Sequence, residues 1–210
     1  MKEKIYITEK QEQLLNIAEK LFAEKGFDAV SVRDLAKEAN VNIAMISYYF
    51  GSKEKMYATL IEDRISNTRN AIMDIKSKKI APFEKLTAII DLYVDRLMSN
   101  PRFLKIMTHE LYQQNRPTIK QTILKNFKKN QSEVMAILED GLKAKIFKKV
   151  DLEMTFMTML STIIHVTSSC EQSLQVFNIS SEEELYATKF KKRIKKHLAE
   201  MLSNHLLYKK

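Results

Sequence analysis

LFAEKGFDAVSVRDLAKEANVNIAMISYYFGSKEKMY, residues 21–57, sets apolar side chains three and four apart between a few punctuating residues, and reads as short helices joined by tight turns. Its first part closes a helix over 8–25, in which Leu14, Leu15, Ala18, Leu21 and Phe22 share one face. Gly26 suits a left-handed position just past that helix, and Phe27 beyond it folds back on Phe22, the contact that accompanies such endings. Ser31 and Asp34 have capping-box spacing, so a second helix spans 31–38. Asn40 tolerates φ > 0 in the turn that follows, and Asn42 caps a third helix over 43–49. Ser52 opens a fourth, which runs to about residue 76.

Two short helices meeting across a tight turn form a brace and a probe: the first steadies the backbone while the start of the second meets base edges in the major groove. Val32, Leu35, Ala36, Val41 and Ile46 are spaced to hold the pair together. Ile43, Ala44, Ser47 and Tyr48 then lie on or beside the outer face, where hydroxyls and small apolar groups suit base acceptors and thymine methyls. Arg33 reaches guanine or phosphate, and Ser31 and Asn42 stand at the two helix starts. Tyr49 and Lys53 suit phosphate. Lys53 does so most strongly, because it follows Ser52 at a helix start, where unpaired N–H groups and the helix dipole favour an anion.

The whole chain agrees with a helical reading. Three glycines and three prolines in 210 residues leave few positions for sharp turns, and 45% hydrophobic content is enough for a buried core. Phosphate-cradling loops need clustered glycines, and Gly26, Gly51 and Gly141 are far apart, so most nucleotide-dependent enzymes are excluded. The single cysteine, Cys170, rules out an internal disulfide and reads as a small buried hydrophobe in a reducing compartment. The N-terminal residues lack a secretory apolar segment and no uncharged run reaches membrane-spanning length, so the expected location is the cytoplasm. The formal charge of +9 does not find the DNA site, since residues 1–60 hold nine basic and nine acidic side chains.

Beyond residue 80 the periodicity predicts helices over 83–99, 102–115, 118–143, 151–178 and 182–207, with Pro101 starting one of them and a turn beginning at Gly141. No strand pattern and no repeat is visible. Residues 154–177 are nearly uncharged and require burial against several partners, and Tyr186, Phe190, Ile194, Leu198 and Leu202 form a stripe that needs covering. Met98, Met107, Met135, Met154, Met157 and Met159 with Phe103, Tyr112 and Phe127 supply adaptable apolar surface for a ligand or for ordinary packing. His109 and His165, within apolar helices, either orient a ligand's polar group or are satisfied structurally. The candidate pocket set is Phe103, Met107, His109, Tyr112, Phe127, Met135, Met157 and His165. The four histidines make no HxxxH or HExxH pair, so no metal is expected, nor any cofactor. No GxSxG elbow is present and no enzyme is expected.

The elements Phe22…Gly26, Ser31…Leu35-Ala36, Val41-Asn42 and Tyr49-Phe50…Ser52-Lys53-Glu54 occur together at a spacing that resembles the N-terminal module of TetR/AcrR-type repressors over about residues 8–60. Asn40 replaces the glycine usual in the turn, and Ser47 stands where many members have a phosphate-binding tyrosine, a contact left to Tyr48 or Tyr49. The resemblance implies an all-α chain with a three-helix DNA-binding domain over 1–55 and a helical ligand-binding and dimerisation domain over 56–210. It also implies that the last two helices pair with their twofold mates, through Ser161, Ser168, Phe190, Ile194, Leu198 and Leu202. The function it implies is a dimeric repressor on a palindromic operator, released by a small apolar effector. The competing reading is a nucleoid or membrane-surface binder that uses the basic run Lys189, Lys191, Lys192, Arg193, Lys195 and Lys196 without reading sequence.

Overall fold

A computed structural model of the chain describes residues 7–113 and 115–208. Among them are eleven helices: α1 Glu9–Lys25, α2 Val32–Glu38, α3 Ile43–Phe50, α4 Lys53–Ser77, α5 Pro82–Ser99, α6 Pro101–Tyr112, α7 Pro117–Lys143, α8 Leu152–Ser168, α9 Cys170–Phe177, α10 Glu182–Tyr186 and α11 Thr188–Leu206. The only β feature among the described residues is an isolated bridge between Phe147 and Leu207. No helix among the described residues is long and apolar enough to cross a membrane.

Packing divides the chain into two compact units, residues 1–67 with 102–127 and residues 68–101 with 128–210. The expected boundary after residue 55 therefore does not coincide with the packing boundary. The cause is the size of the head: α1 to α3 cannot enclose their own apolar faces, and Met56, Tyr57, Leu60 and Ile61 of α4, Ile106 of α6 and Ile123 of α7 join the same core as Leu15, Phe22, Leu35 and Ile46.

The first unit is held by caps and buried charge. Thr8 and Ser31 cap α1 and α2 with reciprocal boxes, and Ser31 Oγ lies 2.6 Å from Asp34 Oδ2. These hydrogen bonds from the Ser31 side chain and backbone hold the Asp34 carboxyl below its ordinary range. A depressed carboxyl stabilises the fold above its unfolded pKa and loses that contribution as pH falls through the folded one. Ser31→Ala is accordingly expected to move the Asp34 titration upward towards its ordinary value, and an unchanged NMR titration would contradict the capping role. Gly26 has φ 81° and ψ 156°, a region closed to side chains but not the left-handed helical one expected, while the Phe27 ring does stack back on Phe22, 5.4 Å away. Arg64 of α4 grips α1 through Glu19 at 2.9 Å and Asn16 at 2.6 Å, and its neighbour Asp63 has a raised pKa because burial outweighs the pull of Arg64.

Deeper in this unit Tyr57 donates to Glu110 at 2.9 Å, Arg116 holds both Glu110 oxygens, and the same guanidinium reaches Asp28 at 2.9 Å. Its plane also lies over the Phe27 ring, 4.8 Å from the centroid. The hydrogen bonds to Glu110 keep the Arg116 guanidinium charged well beyond its ordinary range, whereas burial and then Glu110 push the Tyr57 hydroxyl up.

In the second unit α5 packs on α8 and α11. Two expected helices are each broken in two. The helix over 151–178 stops at Ser169 (φ −105°, ψ 58°), and the carbonyls freed there are taken up by Ser173 Oγ on Val166 at 3.0 Å and Tyr186 Oη on Thr167 at 3.1 Å. The helix over 182–207 breaks at Ala187, which is extended (ψ 155°). The stripe Phe190, Ile194, Leu198 and Leu202 is at most 6% exposed within the single chain, which corrects its assignment to a dimer contact: α5, α8 and α9 of the same chain already cover it. Ser161 and Ser168 do face solvent. The basic run is largely engaged: Lys195 pairs with Asp95 at 2.7 Å, Lys191 donates to Ser99, and Arg193 lies over Phe177. Cys170 is half-buried and its thiol pKa is raised by burial and by Glu182. Gly141 lies inside α7 rather than in a turn.

Candidate nucleic-acid interface

Helices α2 and α3 pack across the turn 39–42, where Val41 N donates to Ala36 O at 3.0 Å and Asn40 takes φ 50°, the conformation expected of it. Asn42 caps α3 through Oδ1, which accepts the Ala44 N–H at 2.9 Å. Ile46 and Phe50 on the inner face of α3 are buried, which turns Asn42, Ile43, Ala44, Ser47 and Tyr48 outward. Ile43 remains 44% exposed and Tyr48 81% exposed, unusual for large apolar groups on the same short helix. Tyr49 is half-buried; its ring meets Tyr48 edge-on at 5.1 Å, and its carbonyl accepts from Gln11 of α1 at 3.3 Å. Gln11 thus steadies the far end of α3 from 38 residues away, a role that no local pattern announces.

Arg33 is exposed on α2, whereas the Ser31 hydroxyl is taken up by Asp34. Lys53 departs from expectation. Its ammonium donates to Phe27 O at 3.0 Å and Val30 O at 2.9 Å and sits 4.1 Å from the Phe27 ring centroid. Two of its three donors are therefore spent on the loop before α2, so it fastens the head together instead of standing free at a helix start. The carboxylate of Glu54 turns back to its own N–H and to Ser52, which lowers its pKa and puts a negative group where an anion was expected.

The candidate pocket residues do not form one buried set. Phe103 and Met107 pack half-buried against the core of the first unit, and Phe127 and Met135 are half-buried. His109, Tyr112, Met157 and His165 are exposed. The two histidines lie on the outer faces of their helices: α6 buries Leu104, Ile106 and Glu110, and α8 buries Phe156, Met159, Ile163 and Val166. Among the described residues no group of three His, Cys, Asp or Glu side chains is placed to hold a metal ion.

Comparisons with known proteins agree with this geometry. The model of the family described as bacterial regulatory proteins, tetR family, matches residues 14–60, and that of the tetracyclin repressor-like C-terminal domain matches residues 82–202. The HTH-type transcriptional repressor NicS of Pseudomonas putida is 27% identical over 48% of this chain and 47% of its own length. The repressor KstR2 of Mycobacterium tuberculosis is 30% identical over 46% of this chain and 57% of its own. The chain thus spans roughly half the length of these curated relatives. Among solved structures, the ketosteroid transcriptional regulator KstR2 of Mycobacterium tuberculosis superimposes with a TM-score of 0.74 at 18% identity, covering 97% of this chain and 98% of that one. The regulator FadR from Bacillus subtilis, described in complex with stearoyl-CoA, gives 0.69 at 20% identity over 90% and 97%. At such identities the likeness speaks for the fold. The second family match alone covers more than half of the chain, and with a helix-turn-helix of this geometry preceding it in sequence, the chain belongs to the TetR family, a family of DNA-binding transcriptional regulators and not of enzymes.

Proposed function

We propose that the protein is a repressor that binds a palindromic operator as a homodimer in the cytoplasm and is released by a small apolar effector. DNA binding is assigned to residues 1–55 and effector binding and dimerisation to 56–210. The observation that carries this reading is the outer face of α3, where Ile43, Ala44, Ser47 and Tyr48 are presented uncharged and exposed on a helix whose other side is buried. Arg33, Asn42 and Tyr49 flank that face, and Ser31 and Lys53 act mainly by holding its supports.

Dimerisation is assigned to the outer face of α8. Met154 (62% exposed), Met157, Ser161, His165 and Ser168 recur there at helical spacing with no Asp, Glu, Lys or Arg between residues 154 and 168. The half-buried Phe103, Met107 and Phe127 of the first unit support an apolar effector, as does the acyl chain of the stearoyl-CoA named for one similar structure. Release then requires the effector to favour the non-binding arrangement by about 1–3 kcal/mol.

Gel-shift and footprinting on DNA adjoining the protein's own gene test the reading. Two half-sites about 10 bp apart, or a multiple of that, are expected. Tyr48→Ala is expected to weaken binding by about tenfold or more without changing the melting temperature, since its side chain is exposed. Lys53→Ala is an unsuitable control, because it also loosens the loop over 27–30. Absence of any sequence-specific shift overturns the function, and a footprint without a repeated half-site overturns the dimeric part of it.

A further inference from the structure

The proposed function makes α3 the element that meets base edges, and the groups it has left to offer decide which base pairs it distinguishes. We infer that the half-site under α3 is read through the C5-methyl groups of thymine, so that the pairs beneath Ile43, Ala44 and Tyr48 are A·T, and that guanine is read only within reach of Arg33. This rests on the DNA-binding reading above.

Each base has its own demand in the major groove. Guanine is best met by a forked Arg or Lys, adenine by the paired oxygen and nitrogen of Asn or Gln, cytosine by a carboxylate, and thymine by apolar contact with its methyl. Helix α3, IAMISYYF, contains no charged side chain and no amide, so three of these four partners are missing from it. The groups beside it are spoken for. Asn42 turns its oxygen onto the Ala44 N–H, which removes half of the pair adenine requires. The Lys53 ammonium faces the carbonyls of Phe27 and Val30, and the Ser31 hydroxyl lies against Asp34. What remains exposed on α3 itself is the Ile43 side chain, the Ala44 methyl, the Ser47 hydroxyl and the Tyr48 ring. A serine hydroxyl donates or accepts and so discriminates weakly. Apolar surface on Ile43 and Tyr48 is left in water until something apolar covers it, and the thymine methyl is the one apolar group on the major-groove edge of a base pair.

Single-atom changes in the DNA test this on the footprinted operator. Each thymine of a half-site is replaced in turn by deoxyuridine, which removes only the methyl, and each guanine by 7-deazaguanine, which removes only the N7 acceptor; affinity is read by fluorescence anisotropy. At least one deoxyuridine position per half-site is expected to lower affinity by about fourfold, the effect of exposing one buried methyl. Ile43→Ala is expected to abolish the penalty at one such position, and any 7-deazaguanine penalty is expected to vanish in Arg33→Ala. Specific binding indifferent to every deoxyuridine, or a 7-deazaguanine penalty that survives Arg33→Ala, overturns the inference while leaving the DNA-binding function intact. Loss of all sequence-specific binding by the parent protein overturns that function instead.

Discussion

Arg116→Ala is expected to lower stability by about 3 kcal/mol or more, seen as a fall of roughly 10 °C in the unfolding midpoint. The reason is what it leaves behind. Glu110 is 1% exposed and loses all three charge-assisted bonds from the guanidinium, keeping the Tyr57 hydroxyl at 2.9 Å. A buried carboxylate stripped of its cation costs far more than the pair contributes relative to an apolar pair of the same shape. The other members of the network are expected to rank by burial. Tyr57→Phe removes one hydrogen bond to a charged group and is expected to cost about 1.5 kcal/mol. Asp28→Asn acts on a carboxylate 75% exposed to solvent and is expected to cost under about 1 kcal/mol. Combining Arg116→Met with Glu110→Gln should recover part of the loss, because the uncompensated charge is gone. If Arg116→Ala costs no more than Asp28→Asn, the network does not hold α6 and the start of α7 to the core of their unit.

The parts of this fold that the sequence disclosed are those set by neighbours within a turn of one another. Ser31 and Asp34 are three residues apart and Asn42 and Ala44 two, so their caps follow from side-chain reach alone. The periodic stripe over Phe190, Ile194, Leu198 and Leu202 likewise showed that these residues must be covered, but periodicity cannot say by what, and the cover is the same chain. His165 misled for a related reason: its chain neighbours Ile164 and Val166 are apolar, whereas the face of a helix is shared by residues three and four apart. The breaks at Ser169 and Ala187 escaped because both segments have helix-compatible residues, and the carbonyls that a break frees find acceptable donors only in Ser173 and Tyr186 of the folded chain. For Lys53 the position was legible and the partner was not, since the carbonyls it binds lie 26 and 23 residues earlier. Arg116 and Asp28, 88 residues apart, had no local signal at all.

Gly141→Ala is expected to destabilise the protein by about 3 kcal/mol, although alanine is the better helix former by about 1 kcal/mol and Gly141 lies within α7. The two effects oppose each other, and packing decides. A Cβ at this position would enter the ring of Phe147, 2.8 Å from Cζ and closer still to Cδ2 and Cε2. The ring has little room to withdraw. Phe147 is 1% exposed and packs edge-on to Phe83, with its N–H bonded to Gly141 O at 3.1 Å. The next residue is tied as well, Lys148 N donating to Leu206 O at 2.7 Å, so moving the ring means pulling the end of α11 away from the loop after α7. Phe147→Ala alone is expected to cost about 3–5 kcal/mol through the cavity it opens. Once the ring is gone the clash is gone too, and adding Gly141→Ala to Phe147→Ala should be neutral or mildly stabilising, since only the helix preference is left. Thermal or denaturant unfolding of the two single variants and the double variant measures this coupling directly. A Gly141→Ala protein that melts at or above the parent temperature would mean that the close approach of α7 to Phe147 is not what requires glycine there.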